Sequence, residues 1–224
     1  MNVNPEHLIQ AVRQFLETEQ SFGITEISRL PAGSGAHSYS KKEALLNLEK
    51  EFKDCMLCAL SQTRSHLVFG SGDPDAELMF VGEAPGYEED RQGLPFVGAA
   101  GQLLTKIIEA MKLSRENVYI ANCLKCRPPN NRSPLPGEIM TCNPLLLRQM
   151  EIIQPKIVCA LGKFAAQTLL KTQAPISRLR GRFQEWNGIK IMPTFHPAYL
   201  LRNPADKKLV WEDMKQIMQE LEIK

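Results

Sequence analysis

From Lys41 onward the apolar residues fall into two alternating patterns. Short, nearly unbroken runs occur at Glu77-Leu-Met-Phe-Val81, Val118-Tyr-Ile-Ala121, Lys156-Ile-Val-Cys-Ala-Leu161 and Gly188-Ile-Lys-Ile-Met192, and each reads as a buried strand. Between and after them apolar positions recur every three or four residues. That spacing predicts helices over Ala99–Leu113, from about Pro136, over Lys163–Leu170 and from about Ala205 to Leu221. A further helix, marked by Leu45, Leu46, Leu48 and Phe52, runs toward Cys55. Strand–helix alternation predicts an α/β fold: a central, mostly parallel four-stranded sheet flanked by helices on both faces. No internal repeat is visible.

The first 40 residues follow a different pattern. Asn4-Pro5 suits a helix start, and Leu8, Ile9, Val12, Phe15 and Leu16 follow at helical spacing. Leu30–Ser40 is rich in Gly and Ser and reads as a flexible linker. The expected organisation is a helix plus tether over 1–40 and one domain over 41–224. The amphipathic stripe of the first segment is expected to dock on that domain or on a partner protein.

Composition supports a packed domain. Hydrophobic residues make up 43% and charged residues 23% of the chain, which excludes global disorder. No apolar run approaches the ~20 residues that span a bilayer, and Met1–Gln20 lacks a cationic stretch followed by an apolar one. A cytoplasmic location without membrane contact is therefore expected. Six cysteines in a reducing compartment point to metal ligands or free thiols. The net charge of +2 conceals a segregation: Lys163–Lys208 carries nine basic and two acidic residues, whereas Asp73–Asp90 carries seven acidic residues and no basic one. A basic C-terminal third suits a phosphate-backbone surface.

In open α/β sheets, ligands bind beyond the carboxyl ends of the strands. Those ends are Gly82-Glu-Ala-Pro-Gly86, Asn122, Gly162-Lys163 and Pro193-Thr-Phe-His-Pro197, and three of them offer chemistry through Glu83, Asn122 and His196. The cysteines offer two metal sites. Cys55, Cys58, Cys123 and Cys126 form two CxxC pairs, a zinc-ribbon set, but with 64 residues between the pairs. Cys55, Cys58, Cys126 and Cys142 form a four-thiolate set suited to an iron–sulfur cluster. Spacing leaves both open. Cys159, inside a strand, reads as a small core residue.

Four motifs in order give the chain a resemblance to a known family. They are Gly82-Glu-Ala-Pro-Gly86 with Glu88-Glu89-Asp90; Gly93-Leu-Pro-Phe-Val-Gly98 with Ala100-Gly-Gln-Leu-Leu104; Asn122 with Lys125-Cys-Arg-Pro-Pro129 and Asn131-Arg132; and His196-Pro-Ala-Tyr-Leu-Leu-Arg-Asn-Pro204. Over about Cys55–Pro204 the sequence resembles the family 4, iron–sulfur uracil-DNA glycosylases. Tyr87 departs from the family, whose members often have Glu there. Arg127–Pro134 lacks the histidine of a related branch that binds uracil-DNA covalently.

The resemblance implies a three-layer glycosylase fold and a 4Fe-4S cluster on Cys55, Cys58, Cys126 and Cys142, with Cys123 a bystander. It implies monofunctional hydrolysis of the N-glycosidic bond of uracil in single- or double-stranded DNA by a monomer. Phe96 becomes the stacking platform for an everted uracil, Asn122 the amide that reads O4 and N3–H, and His196 the donor to O2. The Glu83-Ala84-Pro85 loop approaches the base, and Glu83 and Glu89 are the candidate carboxylates for the attacking water. Tyr87 and the Glu88–Glu89 segment are expected beside uracil C5, Leu200 and Leu201 as a wedge into the duplex, and Lys163, Arg202 and Arg132 on phosphates. The competing reading is a non-catalytic iron–sulfur DNA-binding module accessory to a polymerase, with residues 1–40 as a tether to replication or repair proteins. The intact Glu83, Asn122 and His196 set argues against it.

Overall fold

A computed structural model describes residues 40–223. The helix expected around Leu8–Leu16 and the expected linker over Leu30–Ser40, apart from Ser40 itself, lie outside the described residues; Ser40 caps the first helix of the domain. The domain opens on a capping box. The Ser40 hydroxyl accepts the Glu43 N–H at 3.3 Å, and the Glu43 carboxylate accepts the Ser40 N–H at 2.9 Å. Helix α1 (Lys41–Phe52) follows.

The strands are β1 (Ser71–Gly72), β2 (Leu78–Gly82), β3 (Tyr119–Asn122), β4 (Ile157–Leu161), β5 (Gln184–Trp186) and β6 (Ile189–Thr194). They form one sheet in the order β1-β3-β2-β4-β6-β5. The four expected strands pair in parallel, and β1 and β5 add short antiparallel edges. The sheet therefore has six strands rather than four. Neither edge strand has an apolar run, because neither is covered on both faces.

The helices are α2 (Tyr87–Gln92), α3 (Ala99–Ala110), α4 (Pro136–Ile153), α5 (Lys163–Leu170), α6 (Ile176–Leu179), α7 (Pro197–Arg202) and α8 (Lys207–Glu220). Alternation along the buried strands splits the core in two. Met79, Val81, Tyr119, Ala121, Val158 and Ile191 face α1, α4 and α5. Leu78, Phe80, Ile120, Cys159 and Met192 face α3, α7 and α8. This is the expected three-layer arrangement. A satellite cluster of Leu60, Leu124 and Cys126 packs with Cys58, Ala84, Ile139 and Cys142 beside the end of β2.

The parallel register brings the chemistry to one rim. Gly82 pairs with Asn122, and Leu161 with Thr194, so the loops after β2, β3, β4 and β6 all emerge on the same edge.

Candidate active site

A cleft of about 440 Å³ opens at this rim. Glu83, Ala84, Pro85, Glu89, Phe96, Asn122, His196 and Arg202 all line it, joined by Arg132 and Tyr199.

Two side chains meet over a glycine. A Cβ on Gly82 would lie 2.4 Å from Asn122 Oδ1 and 2.5 Å from Phe96 Cζ. Only the absence of a side chain at the last residue of β2 lets the amide and the ring approach each other. The buried Asn122 leaves its Oδ1 without a hydrogen-bond partner among the described residues. A buried acceptor without a donor costs ~1–3 kcal/mol, so this lining atom is poised for a ligand N–H.

Phe96 is held in an uncommon conformation, with φ 53°. A non-glycine residue in the left-handed region costs ~1–3 kcal/mol and persists only where its surroundings fix it. Here three groups do so. Arg115 donates to the carbonyls of Phe96 at 3.0 Å and Pro95 at 2.7 Å. Glu89 Oε1 accepts the N–H groups of Val97 at 2.9 Å and Gly98 at 2.8 Å. Gly101 of α3 lets the Phe96 backbone press against the helix, where a Cβ would sit 2.0 Å from the Phe96 carbonyl. The ring is thereby aimed into the cleft, 5.6 Å from the His196 imidazole between centroids.

His196 caps α7, and its Nδ1 accepts the Ala198 N–H at 3.1 Å. Burial, helped by the nearby Arg202 charge, pushes its pKa down to about 4. The ring is therefore neutral near pH 7. With Nδ1 accepting, the proton sits on Nε2, which is left as a donor.

The two carboxylates differ in their surroundings. Glu89 lines the cleft, but both of its oxygens are engaged, because Oε2 also accepts the Gly86 N–H at 3.1 Å. It clamps the loop after β2 to the loop carrying Phe96. Glu83 has no donor on its carboxylate among the described residues. Burial raises its pKa, opposed by the charge of Lys163 at the start of α5.

Two expectations fail. Leu200 cannot be a wedge, because it is 1% exposed and packs in the core against α3 and α8. Its neighbour Leu201 is 47% exposed. Tyr87 is not among the residues lining the cleft; it lies exposed beneath the Arg127 guanidinium, 5.1 Å from its ring centroid. Lys163, expected on phosphates, stands outside the lining and places its charge near Glu83. Arg132 lines it while forming a bidentate pair with Glu138 at 2.9 and 2.6 Å.

Cys55, Cys58, Cys126 and Cys142 line a second, much smaller pocket of about 20 Å³, together with apolar side chains and the polar Ser61, Thr141, Arg64 and Lys125. Arg64 Nη1 donates to Cys126 Sγ at 3.1 Å. Among the described residues no three His, Cys, Asp or Glu side chains converge closely enough to hold a single metal ion. Four thiols around one pocket, one of them receiving the Arg64 guanidinium, make a donor set that fits an iron–sulfur cluster. Cys123 turns away into the main core, where burial pushes its thiol up to about 12.

Arg115, Lys125 and the clamping role of Glu89 are additions that the sequence reading missed. Arg115 lies in a polar turn outside every motif. Lys125 stands in the Lys125-Cys-Arg-Pro-Pro129 motif, but nothing in the sequence gave it a role of its own.

Comparison with known proteins gives concordant results. The family described as the uracil DNA glycosylase superfamily matches residues 69–215. A type-4 uracil-DNA glycosylase of Saccharolobus solfataricus is 46% identical over 78% of this chain and 85% of its own length. One from Thermotoga maritima is 43% identical over 80% of this chain and 95% of its own. One from Archaeoglobus fulgidus is 43% identical over 78% and 92%.

Proposed function

The chain belongs to the uracil-DNA glycosylase superfamily, and from this we infer that it hydrolyses the N-glycosidic bond of uracil in DNA, leaving an abasic site for repair. The single observation that carries the reading is the convergence of Phe96, the orphan Asn122 Oδ1 and the Nε2–H of His196 on one cleft. Nothing favours the alternative of a non-catalytic module.

Bond cleavage leaves oxocarbenium-like character on the sugar and negative charge on the base. The nucleotide must leave the stack to be reached. In this reading the everted uracil stacks on Phe96, an interaction worth ~1–3 kcal/mol. Asn122 accepts N3–H through Oδ1 and donates to O4. Cytosine presents the reverse pattern and would leave buried groups unpaired. Neutral His196 donates from Nε2 to O2 as charge gathers there; a donor of this kind commonly contributes ~10²–10³ in rate. Glu83, with its free carboxylate, positions the water and supports the cationic sugar. Ala84 and Pro85 bring backbone close to the base, and Glu89 holds the cleft in shape and adds bulk beside C5. Leu201 fills the gap left in the duplex, with Arg202, Arg132 and Lys163 on phosphates.

Cys55, Cys58, Cys126 and Cys142 would hold a 4Fe-4S cluster. When bound it supplies a covalent tie between α4, the loop after β3 and the chain following α1, with no chemistry on the base. The same reading has the protein act as a monomer in the reducing cytoplasm, at the nucleoid.

Purified protein incubated with uracil-containing single- and double-stranded oligonucleotides, then treated with alkali, should give scission at uracil alone. Intact strands at stoichiometric protein would overturn the reading.

A further inference from the structure

Lys125 is the one fully buried lysine among the described residues, with 0% exposure. Its Nζ donates to the main-chain carbonyl of Asn122 at 2.9 Å and to Gln149 Oε1 at 2.6 Å. No carboxylate reaches it among the described residues; both hydrogen bonds go to neutral acceptors, while the side chain also lines the pocket of Cys55, Cys58, Cys126 and Cys142. Gln149 of α4, itself fully buried, is fixed in turn by donating to the Phe69 carbonyl at 3.0 Å and toward the Tyr119 hydroxyl at 3.4 Å.

A buried cation is costly unless its donors are satisfied. Lys125 stands beside the cysteine pocket, but both hydrogen bonds of its Nζ point the other way, to the Asn122 carbonyl and Gln149, and that direction is a geometric feature in its own right. Asn122 is the last residue of β3, where ladder pairing stops. Beyond it Cys123 and Leu124 are tied by their N–H groups to the carbonyls of Gly82 and Glu83. Among the described residues the Asn122 carbonyl has no other tie outside the sheet ladder, and fixing this peptide fixes the backbone from which the Asn122 side chain projects.

We propose that Lys125 and Gln149 together form a positioning device for base recognition, pinning the Asn122 carbonyl from behind and so aiming the Asn122 amide into the cleft. The device adds two residues outside the cleft to the specificity machinery and rests on the reading of Asn122 as the base-reading amide. It also places the pin one residue from Cys126, so the cysteine site and the recognition amide share a support.

The test compares Lys125→Met, Gln149→Leu and an Asn122→Ala control in the full-length protein isolated with its native metal content. Three readouts are inhibition by free uracil, affinity for abasic-site DNA and visible absorbance. Free uracil should inhibit Lys125→Met and Gln149→Leu about tenfold more weakly than the parent. Abasic-DNA affinity should stay parental, a separation that mere loosening of the fold would not produce. If Lys125→Met loses its absorbance, Gln149→Leu decides, because it touches no cysteine. Parental uracil inhibition in Gln149→Leu, or in an absorbing Lys125→Met, while Asn122→Ala is weakened, overturns the proposal alone. Parental inhibition in Asn122→Ala removes the reading beneath it and the proposal as well.

Discussion

The aromatic ring of Phe96 and the imidazole of His196 face each other with centroids 5.6 Å apart and planes tilted by 31°. One is delivered by a strained loop after α2 and the other by the cap of α7, 100 residues later in the chain. A planar base lying on Phe96 is thereby brought within reach of Nε2–H.

His196→Ala should lower turnover ~10²-fold or more while abasic-DNA binding persists. Because the folded pKa is pushed down to about 4, below the ordinary ~6.5, the ring stays neutral as pH falls from 8 to 5 and adds no limb to the rate profile there. The stability that neutral His196 contributes is present above about pH 6.5 and is lost as pH falls toward 4. Steady-state kinetics across this range check turnover and the absent limb, and denaturant unfolding across it checks the stability; near-parental turnover would remove His196 from the mechanism.

Glu83 should own the acid limb instead. Burial raises its carboxyl above the ordinary glutamate value, so kcat/KM should fall as pH drops through a midpoint above ~4.3. Lys163 opposes that shift, so Lys163→Met should move the midpoint upward. Glu83→Gln should abolish the limb and lower turnover at least tenfold. A limb unmoved by either change would assign it elsewhere.

The two adjacent leucines should separate cleanly. Leu200→Ala removes a core side chain and should cost ~2–5 kcal/mol in denaturant unfolding. Leu201→Ala should leave stability parental and weaken uracil release from duplex relative to single-stranded DNA. Equal effects on both strand states would exclude a wedge.

The cysteines give a fourth contrast. Cys142→Ala should bleach visible absorption and lower the melting temperature, while Cys123→Ala, which cuts into core packing without touching the second cavity, should keep the absorption. A colourless parent carrying zinc that is lost in Cys123→Ala and kept in Cys142→Ala would restore the zinc-ribbon set.

Much of this architecture was legible because burial writes itself into sequence. The central strands are covered on both faces and read as apolar runs. β1 and β5 have two and three residues with little apolar content, so no period betrays them. The helix expected over Ala99–Leu113 ends at Ala110, because Lys112 takes φ 62° and turns the chain. Helix α2 went unseen, since its Tyr-Glu-Glu-Asp-Arg-Gln sequence has no apolar stripe. In the site, Phe96, Asn122 and His196 could be expected at the rim from topology and motif. What held them could not: the Arg115 and Glu89 bonds to Phe96's loop, and Lys125's bond to Asn122, join positions with no periodic relation. Leu200 and Leu201 look alike in sequence, and only the phase of a six-residue helix decides which is buried.

The most direct test of the account replaces the reading amide. Buried at the rim, the carboxyl of Asn122→Asp is held protonated by desolvation. It donates to cytosine N3 and accepts from the N4 amino group, the reverse of the pattern uracil needs. Base release from matched uracil- and cytosine-containing oligonucleotides should show uracil release falling ~10²-fold and cytosine release becoming measurable. Parental uracil release with no attack on cytosine would contradict recognition by Asn122.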